Sequence, residues 1–204
     1  ILTGPEYITL FDGATGKALD TQNYDPARGT VTDWGDGYGN RVDRFTACVA
    51  YLDGEHASAC FGRGYYTRMA VAAWDVSNGK LVKRWTWDTG HNVSAKGYGD
   101  GNHHCLGADV DGDGKQEMIT GPAIIDDNGT LYYTTKQGHG DAMHVGDLDP
   151  SNPGIEVWIC HEESKSGYGV TLYDADQKKI IFHCWRLLLL SSCSAHRRAS
   201  VAPA

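Results

Sequence analysis

Apolar stretches along this chain are short, and each ends at an Asp that opens a tight turn. The unit is an apolar strand, an Asp, a few turn residues, often Gly-Lys, and a second strand. It occurs as Phe11-Asp12-Gly13-Ala14-Thr15-Gly16-Lys17 and as Trp74-Asp75-Val76-Ser77-Asn78-Gly79-Lys80. Weaker copies are Ile125-Asp126-Asp127-Asn128-Gly129-Thr130 and Tyr173-Asp174-Ala175-Asp176-Gln177-Lys178. The Asp side chain can hydrogen-bond the turn backbone and Gly supplies positive φ, so each copy predicts a β-hairpin. Asp12, Asp75, Asp126 and Asp174 are separated by 63, 51 and 48 residues.

A second repeat is offset from the first. Asp109-Val110-Asp111-Gly112-Asp113-Gly114-Lys115-Gln116-Glu117 runs into Met118-Ile119-Thr120, and Asp147-Leu148-Asp149-Pro150-Ser151-Asn152-Pro153-Gly154-Ile155-Glu156 runs into Val157-Trp158-Ile159. A degenerate third member begins at Leu52-Asp53-Gly54-Glu55. Each unit then holds an Asp-rich loop, a strand, a connection and a hairpin. Units of about 50 residues with several short strands predict an all-β fold, a β-propeller with three to four blades in this length, against a sandwich as the competitor.

Composition sharpens this picture. The chain has 204 residues, 26 acidic against 18 basic, a net charge of -8 and 26 Gly. Only 6 of the acids are Glu, so Asp dominates, as turns and cation-binding loops favour. That balance argues against a helical bundle and against a nucleic-acid binder. No apolar run is long enough for a membrane span. Residues 183–204 hold no acid at all, and without them the charge is -11. We expect residues 1–182 to form the fold and 183–204 to be an atypical tail outside it. Six cysteines show no CxxC pair, which favours isolated thiols over a thiolate metal site, with disulfides left open.

The loop 109–117 places carboxylates so that Asp109, Asp111, Asp113 and Glu117, with the Lys115 carbonyl, could converge on one Ca2+. Without a cation those acids would repel one another. Asp147, Asp149, Asn152 and Glu156 predict a weaker second site, and the segment 33–43 a third cation or sugar site. Two histidine clusters precede these loops at matching distances, Asn102-His103-His104 and Gly138-His139-Gly140-Asp141-Ala142-Met143-His144. His103 and His139, 36 residues apart, could face one cleft from adjacent units. Asp141 could orient a ring, and the flanking glycines leave room for a ligand. Zinc is the weaker alternative, because His103 with His104 and His139 with His144 share no metal motif. In Phe61-Gly62-Arg63-Gly64-Tyr65-Tyr66-Thr67-Arg68, Arg63 could pair with a carboxylate and Tyr65 could stack on a sugar, although a structural connection fits equally well.

Taken in order, Asp33-Trp34-Gly35-Asp36, Gly39-Asn40-Arg41-Val42-Asp43-Arg44-Phe45, the Phe61 to Arg68 run, Asn102-His103, the Asp109 loop and Gly138 to His144 resemble the rhamnogalacturonan lyases of polysaccharide lyase family 11. The resemblance covers about residues 4–182. It implies an eight-bladed propeller with structural calcium, roughly the central third of it present here, and cleavage of the rhamnose–galacturonic acid backbone of pectin by β-elimination. It carries the cleft residues to His103, His139 and Asp141. We expect His139 to act as base or proton relay oriented by Asp141, with His103, His104, Asn40, Arg63 and Tyr65 binding substrate. A secreted monomer acting on a pectic polysaccharide follows. The competing function is a non-catalytic calcium propeller that binds carbohydrate or protein.

Overall fold

The computed structural model describes residues 2–162 and 169–185. It is all-β apart from one 3₁₀ turn, Val31–Trp34, with no α-helix among the described residues. A two-stranded hairpin, β1 (Tyr7–Phe11) and β2 (Ala18–Asn23), comes first. Three four-stranded antiparallel sheets follow in strict chain order. The first holds β3 (Phe45–Ala50), β4 (Ser58–Arg63), β5 (Ala70–Ser77) and β6 (Lys80–Asp88). The second holds β7 (Leu106–Ala108), β8 (Glu117–Ile119), β9 (Ala123–Ile125) and β10 (Leu131–Thr134). The third holds β11 (Gly140–Gly146), β12 (Glu156–His161), β13 (Gly169–Asp174) and β14 (Lys179–Trp185).

The two sequence repeats map onto this order. Asp12, Asp75, Asp126 and Asp174 each lie at the hairpin joining the last two strands of a sheet. The mechanism is local: Asp12 Oδ1 accepts from the Thr15 N–H at 2.8 Å, and Asp174 Oδ1 from the Gln177 N–H at 2.8 Å. At the β5–β6 hairpin, Asn78 and Gly79 both take positive φ, 50° and 70°, the geometry a two-residue turn needs. The Asp53, Asp109 and Asp147 loops each join the first two strands of a sheet.

Successive sheets pack face to face. Ile8 of β1 meets Ala72 and Trp74 of β5. Ala50, Cys60, Val71 and Ala73 of the first sheet meet Met118 and Ile125 of the second. Ile119 and Ile124 of the second meet Met143, Val157, Ile159 and Tyr173 of the third. The central strands are therefore apolar on both faces, as the buried β5 segment Ala70-Val71-Ala72-Ala73-Trp74 shows.

β14 pairs with β13 out to Trp185, opposite Gly169. The fold thus continues three residues past the boundary expected at 182, because His183 and Cys184 complete the edge ladder; residues 186–204 lie outside the described residues. Cys48, Cys60, Cys105 and Cys160 are free thiols, whereas Cys184 is disulfide-bonded.

Candidate functional site

A backbone ladder between neighbouring sheets builds the site. The Gly101 N–H donates to the Tyr65 carbonyl at 3.3 Å, and the Gly140 N–H to the Gly101 carbonyl at 3.1 Å. The His103 N–H donates to the Gly140 carbonyl at 3.3 Å. Close approach requires the glycines: a Cβ on Gly101 would stand 2.3 Å from the Tyr65 Cβ, and one on Gly140 2.6 Å from the Ile159 Cγ2. Asp100, buried, braces the same place by accepting from the Gly138 N–H at 2.9 Å and the Thr134 hydroxyl at 2.7 Å.

On this frame four rings gather. Tyr65 stacks on His139 with centroids 5.0 Å apart and planes at 11°, and Tyr66 lies 4.2 Å from the same ring. His103 sits 4.9 Å from His139, and its Nε2 is 3.3 Å from the Tyr66 hydroxyl. The Arg41 guanidinium covers the Tyr66 ring at 3.6 Å. Two carboxylates complete the group. Asp141 Oδ1 lies 3.5 Å from His103 Nε2 and 3.7 Å from His139 Nε2, and Glu162 Oε2 lies 4.0 Å from His139 Nε2.

His139 decides what this arrangement does. Its Nδ1 lies 2.9 Å from the Gly101 carbonyl, which only accepts, so Nδ1 carries the proton and Nε2 is bare. Burial foremost, with the neighbouring His103, lowers its pKa to about 4, against the pull of the Gly101 carbonyl and Asp141. The imidazole is therefore neutral at neutral pH. Its Nε2 has no hydrogen-bond partner. A buried lone pair aimed at two carboxylates is the donor set of a cation site. His103, His139, Asp141 and Glu162 each offer a donor atom, all within 4.8 Å of one another. Two imidazoles and two carboxylates suit a divalent cation.

Two expectations change here, and one residue joins them. The ring is oriented by the Gly101 carbonyl and not by Asp141, which faces the opposite nitrogen. The metal-type pairing runs between His103 and His139 on neighbouring sheets, whereas the sequence comparison of His103 with His104 and His139 with His144 looked within each cluster. Glu162 was missed: it follows β12, where its N–H donates to the His139 carbonyl at 3.3 Å, and only strand register signals that proximity.

Arg63 reaches no substrate. It is fully buried, with Nε donating to the Pro26 carbonyl at 2.9 Å, Nη1 to the Val42 carbonyl at 3.0 Å and Nη2 to Glu6 at 2.5 Å. Gly64 flanks it because a Cβ there would strike the Trp34 ring at 2.6 Å. The Gly-Arg-Gly motif is a packing device. Arg41 is the guanidinium at the site. Tyr65 is buried as the floor under His139, and Tyr66 is the more open ring. Asn40 is exposed and accepts from Arg44 at 2.8 Å; His104 is exposed beside the group. In the 33–43 segment, the Asp36 carboxylate is taken up by the N–H groups of Tyr38, Gly39 and Arg41.

The Asp-rich loops divide. Asp109, Asp111 and Glu117 converge within 4.8 Å, and Glu117 forms a second such group with Asp126 and Asp127, which the sequence marks only as turn residues. Glu117 is fully buried; Oε2 accepts from the Val110 N–H at 2.8 Å and Oε1 has no partner. Burial first, with repulsion from Asp111, Asp109 and Asp126, pushes its pKa up to about 8 despite the Val110 contact. An orphaned oxygen among carboxylates fits a hard cation. Asp113 stands outside both groups, and Lys115 Nζ bridges it to Asp127 at 3.2 and 3.1 Å. In the Asp147 loop, the Asn152 amide donates to Glu156 Oε1 and Asp174 Oδ2, both at 2.8 Å, and Asp149 accepts from Ser151. The Asp109 loop is closed by contacts of the same kind, with Asp109 accepting from the Gly112 and Gly114 N–H groups at 2.8 and 3.0 Å.

The site thus gathers two tyrosines, two histidines and two carboxylates on an all-β frame. Residues 1–189 match the model of rhamnogalacturonan lyase family 11, C-terminal domain, and the chain belongs to that family. It is 55% identical over 185 residues to the rhamnogalacturonan exolyase YesX of Bacillus subtilis strain 168, covering 89% of this chain and 30% of YesX. It is 50% identical over 182 residues to the rhamnogalacturonan endolyase YesW of the same organism, covering 89% of this chain and 29% of YesW. A solved structure of a Bacillus licheniformis rhamnogalacturonan lyase superposes with a TM-score of 0.85 at 54% identity, covering 91% of this chain and 32% of that one. The chain therefore spans about 30% of the length of the relatives it matches.

Proposed function

We propose that this chain is the part of a rhamnogalacturonan lyase that carries a cation and sugar-binding site, and that its three four-stranded sheets are blades of a propeller. The observation that carries the reading is the convergence of Tyr66, His103, His139, Asp141 and Glu162 on one buried lone pair, within a chain of this family. β-Elimination needs the C5 proton of a galacturonate to become acidic, and the neighbouring charged carboxylate opposes that. A divalent cation held by His103, His139, Asp141 and Glu162 would offset the charge of that carboxylate.

The protein's own groups do the rest. Gly101 fixes the His139 tautomer, and burial keeps the ring neutral so that its lone pair stays available. The Arg41 guanidinium stacked on the Tyr66 ring adds positive charge beside the cluster, where an anionic sugar would be drawn. The His139 lone pair cannot both hold a cation and take a proton. Four converging donors favour the first role, so we assign proton removal to a group beyond this cluster. Glu117, with Asp109 and Asp111 on one side or Asp126 and Asp127 on the other, would hold a structural calcium ion. A polymeric pectic substrate places the work outside the cell.

The test is an assay of rhamnogalacturonan cleavage, reading the ultraviolet absorbance of the unsaturated product, with and without EDTA. It uses the chain alone and a chimera in which the chain replaces the matching segment of YesX. Activity of the chimera that EDTA removes and a divalent cation restores supports the reading. A folded chimera that binds the polymer without cleaving it indicates the non-catalytic alternative.

A further inference from the structure

Three thiols meet in the core between the first two four-stranded sheets, one of them, Cys105, two residues beyond His103. Cys48 on β3 stands directly opposite Cys60 on β4. Cys60 is a buried member of that core, with Cys48 and Cys105 packed against it. Cys105 immediately precedes β7, which lies hard against β3: a Cβ on Gly107 would fall 2.8 Å from the Ala50 Cβ and 2.8 Å from the Val49 carbonyl. The Cys48 thiol interacts with both Cys105 and Cys60. Cys105 also contacts the Thr46 hydroxyl, two residues from Cys48 on the same strand. All three are free thiols here.

We propose that Cys48 and Cys105 are a redox-active dithiol whose oxidation ties β3 to β7. A common soft-metal site is the weaker reading, because among the described residues the three sulfurs do not form a group with mutual spacing under 4.8 Å. Cys60, although opposite Cys48, is fully buried, whereas Cys48 and Cys105 are both partly exposed, and exchange requires that an oxidant reach the sulfur. The oxidant class is a small-molecule disulfide such as glutathione disulfide. A thiolate at one cysteine attacks a sulfur of that disulfide and expels one glutathione thiolate, leaving a mixed disulfide. The second cysteine's thiolate attacks the protein sulfur of the mixed disulfide and expels the second glutathione. Two protein thiols are oxidised, one glutathione disulfide is reduced to two glutathiones, and both thiol protons end on glutathione. The closed loop carries Tyr65, Tyr66 and His103, so the bond would stiffen the frame beneath the sugar-facing site.

The experiment treats the folded chain with glutathione disulfide, blocks remaining thiols with iodoacetamide, and maps linked peptides by mass spectrometry. A Cys48–Cys105 peptide is expected, with Tm about 5 °C or more above that of the Cys105→Ser variant treated alike. Cys60→Ala should keep both the linked peptide and the gap in Tm. A Cys48–Cys60 peptide, persistent glutathione adducts, or thiols that stay fully alkylated would each overturn the proposal.

Discussion

His139 Nε2 lies 3.7 Å from Asp141 Oδ1 with no proton to place between them, because the proton on the ring is committed to Gly101. A bare nitrogen facing a carboxylate at that distance is a mutual repulsion that a cation relieves. Mn2+ is a suitable probe, since its paramagnetism broadens nearby resonances. Substoichiometric Mn2+ should broaden the His103 and His139 ring signals of this chain, and Asp141→Asn or Glu162→Gln should weaken that effect at least tenfold. Asp113→Asn, outside every converging group, should leave it unchanged. Equal broadening in all of these variants would remove the site.

Calcium should stabilise the chain through Glu117. Binding to the folded state alone adds about 2.7 kcal/mol at a hundredfold excess over Kd. Denaturant melts with calcium and with EDTA check this. Glu117→Gln should abolish most of the difference, and Asn152→Ala should retain it.

Arg63 should behave as a core residue. Replacing it with Ala leaves Glu6 facing only Arg28 and orphans the Pro26 and Val42 carbonyls. Breaking such a buried pair costs about 3–5 kcal/mol. Chemical denaturation should show this loss, while Arg41→Ala leaves stability within about 0.5 kcal/mol.

Acid should unfold the chain partly through Glu6. Burial alone would raise its pKa, but Arg63 and Arg28 outweigh it and hold the carboxyl below 4.5. Its contribution is therefore present above pH 4.5 and is lost as pH falls through the depressed folded value. Stability measured from pH 6 downward should decline more steeply in the native chain than in Glu6→Gln, which is weaker at pH 6 but flatter.

The repeat order was legible because its cause is local. Asp12, Asp126 and Asp174 mark hairpins through contacts a few residues away, whereas Asp75 bonds Ser58 and Arg84 across the sheet and leaves its turn to Asn78 and Gly79. The pairing of His103 with His139 was legible from equal offsets to two loops. Arg63 was misjudged because its partners, Glu6 and Pro26, lie 57 and 37 residues earlier and leave no mark beside it. Glu162 was missed for the same kind of reason: it nears His139 only through the β11–β12 register.

Cleavage by the YesX chimera carrying this chain is the sharpest check on the role of the histidine–carboxylate group, with His139→Ala and Asp141→Asn compared against it. Each variant should keep its Tm within a few degrees and lose more than tenfold in release of unsaturated product. Variants that fold, and cleave rhamnogalacturonan at the unaltered chimera's rate, would contradict that role.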